Sequence, residues 1–222
     1  MRKASYAIIP GGGGAGLIWS EIAEELAATV LRAPDELDIP AMAAGLEGSV
    51  SELPRPRVLI GASMGAMIAL EVARRVEVDA LVMIAAGWGI EVSDELIRWM
   101  ERNPPGILEK FSKICLSDPD DAAKVTAMVA DYQAGGHERH IRQAKAMRAY
   151  KPQPLNDPPA TLVLWGVNDS AVPLEDHVRL ALECRGAVVP IADAAHVPFY
   201  EQPAATLPWL WLAGTARAGS PR

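Results

Sequence analysis

The stretch Arg57-Val58-Leu59-Ile60-Gly61-Ala62-Ser63-Met64-Gly65-Ala66-Met67-Ile68-Ala69-Leu70 constrains this chain more than any other. A β-type apolar run ends at Gly61, and a helix-forming run begins one short turn later. Ser63 therefore stands on the corner between a strand and a helix. The pattern predicts a strained φ/ψ at Ser63 and requires glycine at both flanks, because a side chain there would strike the neighbouring strand or helix. Such a corner lifts a hydroxyl clear of a sheet. It also leaves the following backbone N–H groups at a helix N-terminus, where negative charge is favoured. The five residues G-x-S-x-G are a weak signal alone; the strand before them and the helix after them give the signal its force.

The remaining pattern reads as strands alternating with helices. Ala4 to Ile9 is a buried strand, followed by the backbone-rich loop Pro10-Gly11-Gly12-Gly13-Gly14-Ala15-Gly16. Leu17 to Ala28 is an amphipathic helix, Thr29 to Arg32 a short strand, and Ile39 to Leu53 a helix loosened by Gly45 and Gly48. Ala80 to Ala85 shows no alternation, as expected of a parallel strand covered on both faces. Residues 91–151 change character: helical runs near 92–102, 105–116, 119–134 and 138–150 follow one another without a strand. Strands return at Thr161–Trp165 and Ala187–Ile191, with a helix near Asp176–Cys184 between them. The expectation is an α/β fold, a parallel sheet formed by residues 1–90 and 152–213 with a helical cap inserted at 91–151. The small, polar tail from Gly214 to Arg222 is expected to fray.

Composition narrows the function classes. With 222 residues and 50% hydrophobic content the chain can bury one substantial core. A net charge of −7 repels a phosphate backbone on average, which argues against nucleic-acid binding. Cys115 and Cys184 are too few and too far apart for a disulfide framework or a zinc site, and read as reduced thiols. The apolar stretch after Met1-Arg2-Lys3 is too short for a signal peptide or a membrane span, so a soluble cytoplasmic protein without a membrane partner is the expectation.

A serine becomes a nucleophile when a base takes its proton and a third group orients that base. Two later strands run into suitable segments: Gly166-Val167-Asn168-Asp169-Ser170-Ala171-Val172-Pro173, and Ala194-Ala195-His196-Val197-Pro198-Phe199-Tyr200-Glu201-Gln202-Pro203. In a parallel sheet Ser63, Asp169 and His196 would all lie past the carboxyl ends of their strands, where such folds place ligands. With Gly-Ala-Ser-Met-Gly, these segments resemble the three signature segments of the α/β-hydrolase family, over essentially the whole chain. The resemblance implies a serine hydrolase of carboxylic esters or thioesters, with Ser63 as nucleophile, His196 as general base and Asp169 orienting the histidine. It implies no metal and no cofactor. The histidine segment and the cap are also similar to those of esterases that demethylate pimeloyl-carrier-protein esters.

The family also needs two converging backbone N–H groups, an oxyanion hole. Met64 would supply one and Gly12, in the loop after the first strand, the other. Relatives carry a histidine in that loop where this chain has Pro10, so a run of glycines is expected to need substrate to order it. The chain begins at what would be the family's third strand, which predicts six strands in place of eight. Gly13, Trp88 and Val197 are the expected pocket residues.

Other readings compete. Gly11 to Gly16 also satisfies G-x-G-x-x-G between a strand and a helix, with Asp35 or Glu36 about 20 residues on, as in a dinucleotide-binding unit. The elbow and the two later loops have no place in that reading. The fold also hosts C–C hydrolases, lyases, cofactor-free oxidative enzymes and non-catalytic binding proteins. Asp193 rivals Asp169 but reads as a solvated loop residue. His137 and His140 read as a solvent-facing pair, and His177 as a surface residue. Arg139, Arg142, Lys145 and Arg148 recur every three residues on one cap helix. They read first as a solvated face and second as a dock for an acidic acyl carrier protein or a carboxylated substrate.

Overall fold

Short aliphatic runs, buried on both faces, build the sheet of this computed structural model, which describes residues 3–215. In chain order the elements are β1 (Ser5–Ile9), a 3-10 turn (Leu17–Trp19), α1 (Ser20–Leu26), β2 (Thr29–Val30), α2 (Ile39–Ala44), α3 (Glu47–Ser51), β3 (Arg57–Ala62), α4 (Met64–Val72) and β4 (Ala80–Ile84). Then come α5 (Asp94–Arg102), α6 (Ile107–Ile114), α7 (Ala122–Gly135) and α8 (His137–Ala149), followed by β5 (Ala160–Gly166), α9 (Leu174–Glu183), β6 (Ala187–Ile191), α10 (Pro198–Glu201) and α11 (Pro203–Ala213).

All six strands pair in parallel, in the order β2-β1-β3-β4-β5-β6. The chain reverses its direction of travel across the sheet between β1 and β3. A crevice opens there, at the carboxyl ends of the two strands. Both the glycine loop and Ser63 follow those strand ends. The two-residue side-chain period sorts each strand between two cores. Ala7, Ile9, Leu59, Leu81 and Met83 face a cluster with α2 and α4, whereas Tyr6, Ile8, Val58, Ile60, Val82 and Ile84 face one with α1 and α11. Helix α4 is buried at every residue, which explains why it has no polar face.

The helical block between β4 and β5 has a small core of its own, in which Val92, Ile97 and Met100 meet Ile107, Ile141 and Ala144. Side-chain caps start two of its helices: Ser93 Oγ accepts from the Leu96 N–H, and Asp121 Oδ1 from the Lys124 N–H. The predicted helix over 39–53 is divided into α2 and α3 where the chain passes Gly45, which lies against Pro34. The sequence reading placed no helix over 203–213, where α11 forms although it contains Pro203 and Pro208. Pro203 takes the first-turn position, where a missing N–H costs nothing, and Thr206, Leu207 and Leu210 are buried. No helix among the described residues is long and apolar enough to cross a membrane. The tail expected to fray lies, from residue 216 on, outside the described residues.

The elbow rests on backbone touching backbone. A Cβ on Gly65 would overlap the carbonyl oxygen of Ile9 in β1, and one on Gly61 would overlap the Gly65 carbonyl. No relaxation of a side chain can relieve either overlap. Gly65→Ala is expected to cost about 4 kcal/mol or more and to abolish soluble expression. Gly48→Ala, in α3 with nothing within 4 Å of the added methyl, should instead raise stability by about 0.5 kcal/mol. Soluble yield of Gly65→Ala and urea unfolding of Gly48→Ala, each beside the parent, check the two expectations.

Candidate active site

Ser63 has φ 51° and ψ −118°, in the left-handed half of the map that non-glycine residues avoid. Its neighbours hold it there. The Ser63 N–H donates to the Ile84 carbonyl of β4 at 2.8 Å, and its own carbonyl accepts from the Ala66 N–H at 3.0 Å. Met64 is the first residue of α4, so its N–H belongs to the group that has no intrahelical acceptor. The strain expected at the corner is present.

Asp169 and His196 come together from the ends of β5 and β6. Asn168 N–H donates to the Ala194 carbonyl at 2.8 Å, tying the two loops. His196 Nδ1 lies 2.9 Å from Asp169 Oδ2, and the other carboxylate oxygen accepts the N–H groups of Ala171 (2.8 Å) and Val172 (3.2 Å). Burial pushes the Asp169 carboxyl up, but His196 and the two N–H groups outweigh it and hold the group below the usual carboxylate range. Asp193, the rival acid, is exposed and reaches the site with no hydrogen bond to His196 among the described residues. Ser63 and His196 line the same cavity, though no hydrogen bond joins them among the described residues, as is common in unliganded sites of this kind.

The histidine loop is also clamped from above. Glu201, five residues after His196, accepts the Ala195 N–H at 2.7 Å with one oxygen and the Ser117 N–H of the cap at 2.6 Å with the other. The His196 N–H itself donates to the Cys115 carbonyl at 3.1 Å. Burial keeps the Glu201 carboxyl above its ordinary range despite these donors.

The glycine loop lies beside the elbow. A Cβ built on Gly11 would sit 3.5 Å from that of Ser63, and one on Gly12 would sit 3.7 Å from that of Met64. The Gly12 N–H donates to nothing among the described residues. Its neighbours, by contrast, are tied to the cap. The Gly13 N–H donates to Gln143 Oε1 at 2.8 Å, and the Ala15 and Leu17 N–H groups donate to Asp131 Oδ1 at 3.2 and 2.6 Å. The Ala15 and Leu17 donors are thus occupied by an anion of the chain itself. Asp35, the acid of the dinucleotide reading, is engaged by Arg142.

A cavity of about 320 Å³ opens between sheet and cap. Ser63, Gly12, His196 and Val197 line it, with Ile18, Trp19, Leu96, Met100, Phe111, Ile114, Met128 and Met147 as its main apolar wall. Among the described residues no Lys or Arg lines it. Trp19 and Phe199 stack at its edge with centroids 3.5 Å apart. A wider groove of about 740 Å³ on the outside of the cap, along 103–109 and 119–133, contains none of the predicted site residues.

Several expectations are corrected. Trp88 is not a wall of the cavity; it packs against the cluster that contains Met67, Leu70 and Tyr150. Gly13 does not line it either, since its backbone turns toward Gln143 and the His140 ring. His140 is not solvent-facing. It is buried in the cavity wall, parallel to the Tyr132 ring with centroids 5.4 Å apart, while His137 Nε2 meets the Met100 carbonyl. His177 is fully buried, its Nδ1 at 3.0 Å from the Pro173 carbonyl. Among the described residues no group of three His, Cys, Asp or Glu side chains could hold a metal ion. Cys115 and Cys184 are both free and buried, and burial pushes the Cys115 thiol up to about 12. The basic stripe is spent within the chain: Arg142 pairs with Asp35, Lys145 with Glu101, Arg148 with Asp94, and Arg139 donates to the Ala33 carbonyl. Asp131, Gln143 and Glu201 went unnoticed in the sequence. Glu201 sits inside the histidine segment and could have been singled out there; the two cap residues carry no local pattern.

Residues 8–209 match the model of a family described as "Alpha/beta hydrolase family". No curated protein matches. Among solved structures, a thermophilic esterase from Thermogutta terrifontis superposes with a TM-score of 0.76 at 22% identity, covering 96% of this chain and 91% of that one. An esterase from Exiguobacterium antarcticum gives a TM-score of 0.81 at 17% identity over 96% and 93%. The enol-lactonase from Burkholderia xenovorans LB400 gives 0.79 at 14% over 95% and 91%. At these identities the likeness is one of fold.

His140 sets a pH dependence. Burial, then His137 and Arg139, lower its pKa from 6.5 to about 4, so the folded chain holds it neutral while the unfolded chain would protonate it. Its stabilising contribution is complete above pH 6.5 and is lost as pH falls from 6.5 to about 4, on the order of 3 kcal/mol in all. His140→Phe keeps a ring against Tyr132 and cannot titrate. Urea unfolding at stepped pH should show a shallower acid loss for this variant than for the parent.

Proposed function

The chain belongs to the alpha/beta hydrolase family, and from that premise we propose that it hydrolyses carboxylic esters through an acyl-enzyme on Ser63. The observation that carries this reading is one cavity lined by both the strained Ser63 and His196, with the His196 ring held by a buried Asp169. Bound to Asp169 through Nδ1, the imidazole has Nε2 left as the base. Ser63 Oγ would attack the ester carbonyl as its proton passes to Nε2. The carbonyl oxygen, now an anion, would be met by the N–H groups of Gly12 and Met64, each worth about 3 kcal/mol of barrier. The imidazolium would then protonate the departing alkoxide, leaving the acyl group on Ser63. Water, losing a proton to His196, would release the acid and restore the serine. A thioester or lactone would pass through the same steps, and the fold likeness to esterases and to an enol-lactonase is in keeping with acyl transfer.

The lining supports an uncharged, apolar acyl group. Its side chains are mainly aliphatic and aromatic, and no cation is present to meet a second carboxylate. On the cap surface Arg142, Lys145 and Arg148 each have an acidic partner within the chain, Asp35, Glu101 and Asp94, and none of the three lines the cavity.

Ser63→Ala is expected to keep its thermal unfolding profile and lose about four orders of magnitude in kcat on a p-nitrophenyl ester; turnover near the parent's refutes the reading. A fluorophosphonate should label the parent at Ser63 and leave Ser63→Ala unlabelled. Across p-nitrophenyl esters of graded chain length, kcat/KM should fall about 10-fold or more when an apolar acyl group is given a terminal carboxylate.

A further inference from the structure

We propose that the cap, through Gln143 and Asp131, holds the glycine loop in the shape that aims the Gly12 N–H, so that the oxyanion hole is complete only with the cap bonded to the loop. The inference rests on the reading of Gly12 as an oxyanion donor. Pro10 to Gly16 contains five glycines and no large side chain except proline. Such a segment has little to pack and much backbone freedom to lose. Left to itself it would not keep one N–H pointed at one spot.

What restrains it comes from α7 and α8. Gln143 Oε1 takes the N–H of Gly13, the residue directly after Gly12. Asp131 takes the N–H groups of Ala15 and Leu17 with its carboxylate, and the Ala15 N–H also reaches the Asp131 carbonyl at 3.2 Å. The His140 ring lies against Gly13. Helix α7 can come this close because it ends in Gly135, where a Cβ would overlap the Gly13 carbonyl oxygen. The loop is therefore gripped on three residues by side chains of the cap.

The burial of Gln143 marks it as more than a packing residue. Its side chain is buried, yet its Nε2 has no partner among the described residues. An apolar side chain of the same size would avoid that unpaired donor. Turning the amide over would set two donors against each other at Gly13, so the orientation follows from the Gly13 N–H. The amide is retained for the one bond its oxygen makes. Gln143 and Asp131 act through the loop and are positioning residues.

A positioning role separates from a structural one in where the loss falls. Gln143→Leu, which keeps the volume and removes the acceptor, should lower kcat about 10- to 100-fold and change KM less than about 3-fold. Binding of a trifluoromethyl ketone, whose hemiketal oxygen needs the same N–H groups, should weaken by the same factor as kcat/KM. Gln143→Glu and Asp131→Asn, which keep an acceptor in place, should stay within about 5-fold of the parent. A folded Gln143→Leu with parental kcat and ketone affinity overturns the proposal, as does a loss confined to KM. If Gln143→Leu does not fold, amide exchange of the parent chain decides. Protection of segment 11–17 rising and falling with that of 131–143 supports the proposal, and independent exchange overturns it. Loss of turnover in Ser63→Ala with parental Gln143→Leu would sink this inference alone, whereas turnover in Ser63→Ala would sink the functional reading beneath it.

Discussion

The contact of the α4 N-terminus with β1 and β3 is the constraint from which the rest of the structure follows. Gly61 and Gly65 let backbone lie on backbone where any side chain would overlap a carbonyl. That approach forces Ser63 into a left-handed conformation, which persists because Ile84 and Ala66 bond its backbone on either side. It also brings the first turn of a wholly buried helix to the crevice between β1 and β3, with the glycine loop against it. Strain at such a corner is stored locally and balanced by packing elsewhere. Here the balance comes from two apolar cores, one on each face of the sheet.

The cap is joined to this platform by buried polar groups, and these are high-stakes contacts. A buried acceptor bonded to backbone N–H groups specifies one arrangement, whereas the same group unpaired would destabilise the chain. Asp131 and Glu201 are both carboxylates whose burial outweighs the N–H groups they accept. Each joins a cap element to a loop of the sheet: Asp131 to the segment after β1, and Glu201 to the segment after β6. The proposed nucleophile is thus flanked by two loops that both answer to the cap. A cap attached in this way is coupled to the loops beneath it by hydrogen bonds, in addition to the shape of the cavity it covers.

Much of the scaffold was legible because strand and helix periods are local. The strands at 5–9, 57–62, 80–84, 160–166 and 187–191 and the four cap helices lie within a few residues of their expected positions. Where the expectation failed, packing had overridden local chemistry. No helix was read over 203–213, yet α11 forms there, with Thr206, Leu207 and Leu210 buried. His140 and His177 read as polar surface and are buried, since nothing near them in the chain reveals which side of a helix meets a neighbour. Trp88 follows a strand end, as pocket residues often do, but it packs against the core around Met67, Leu70 and Tyr150 and does not line the cavity.

Ser63, Asp169 and His196 could be named from the chain alone because each is announced by its own strand and loop. A strand end is a local event, and a parallel sheet carries all such ends to one edge. What holds the glycine loop was not legible. Gly13 meets Gln143 across 130 residues, and Leu17 meets Asp131 across 114. Neither partner belongs to a local pattern, because a side-chain acceptor for a backbone N–H need only be near in space. The sequence by itself determined where the elbow and its two companion loops stand. The tertiary structure alone decided that the cap supplies the grip on the loop beside them, since only folding brings α7 and α8 over β1.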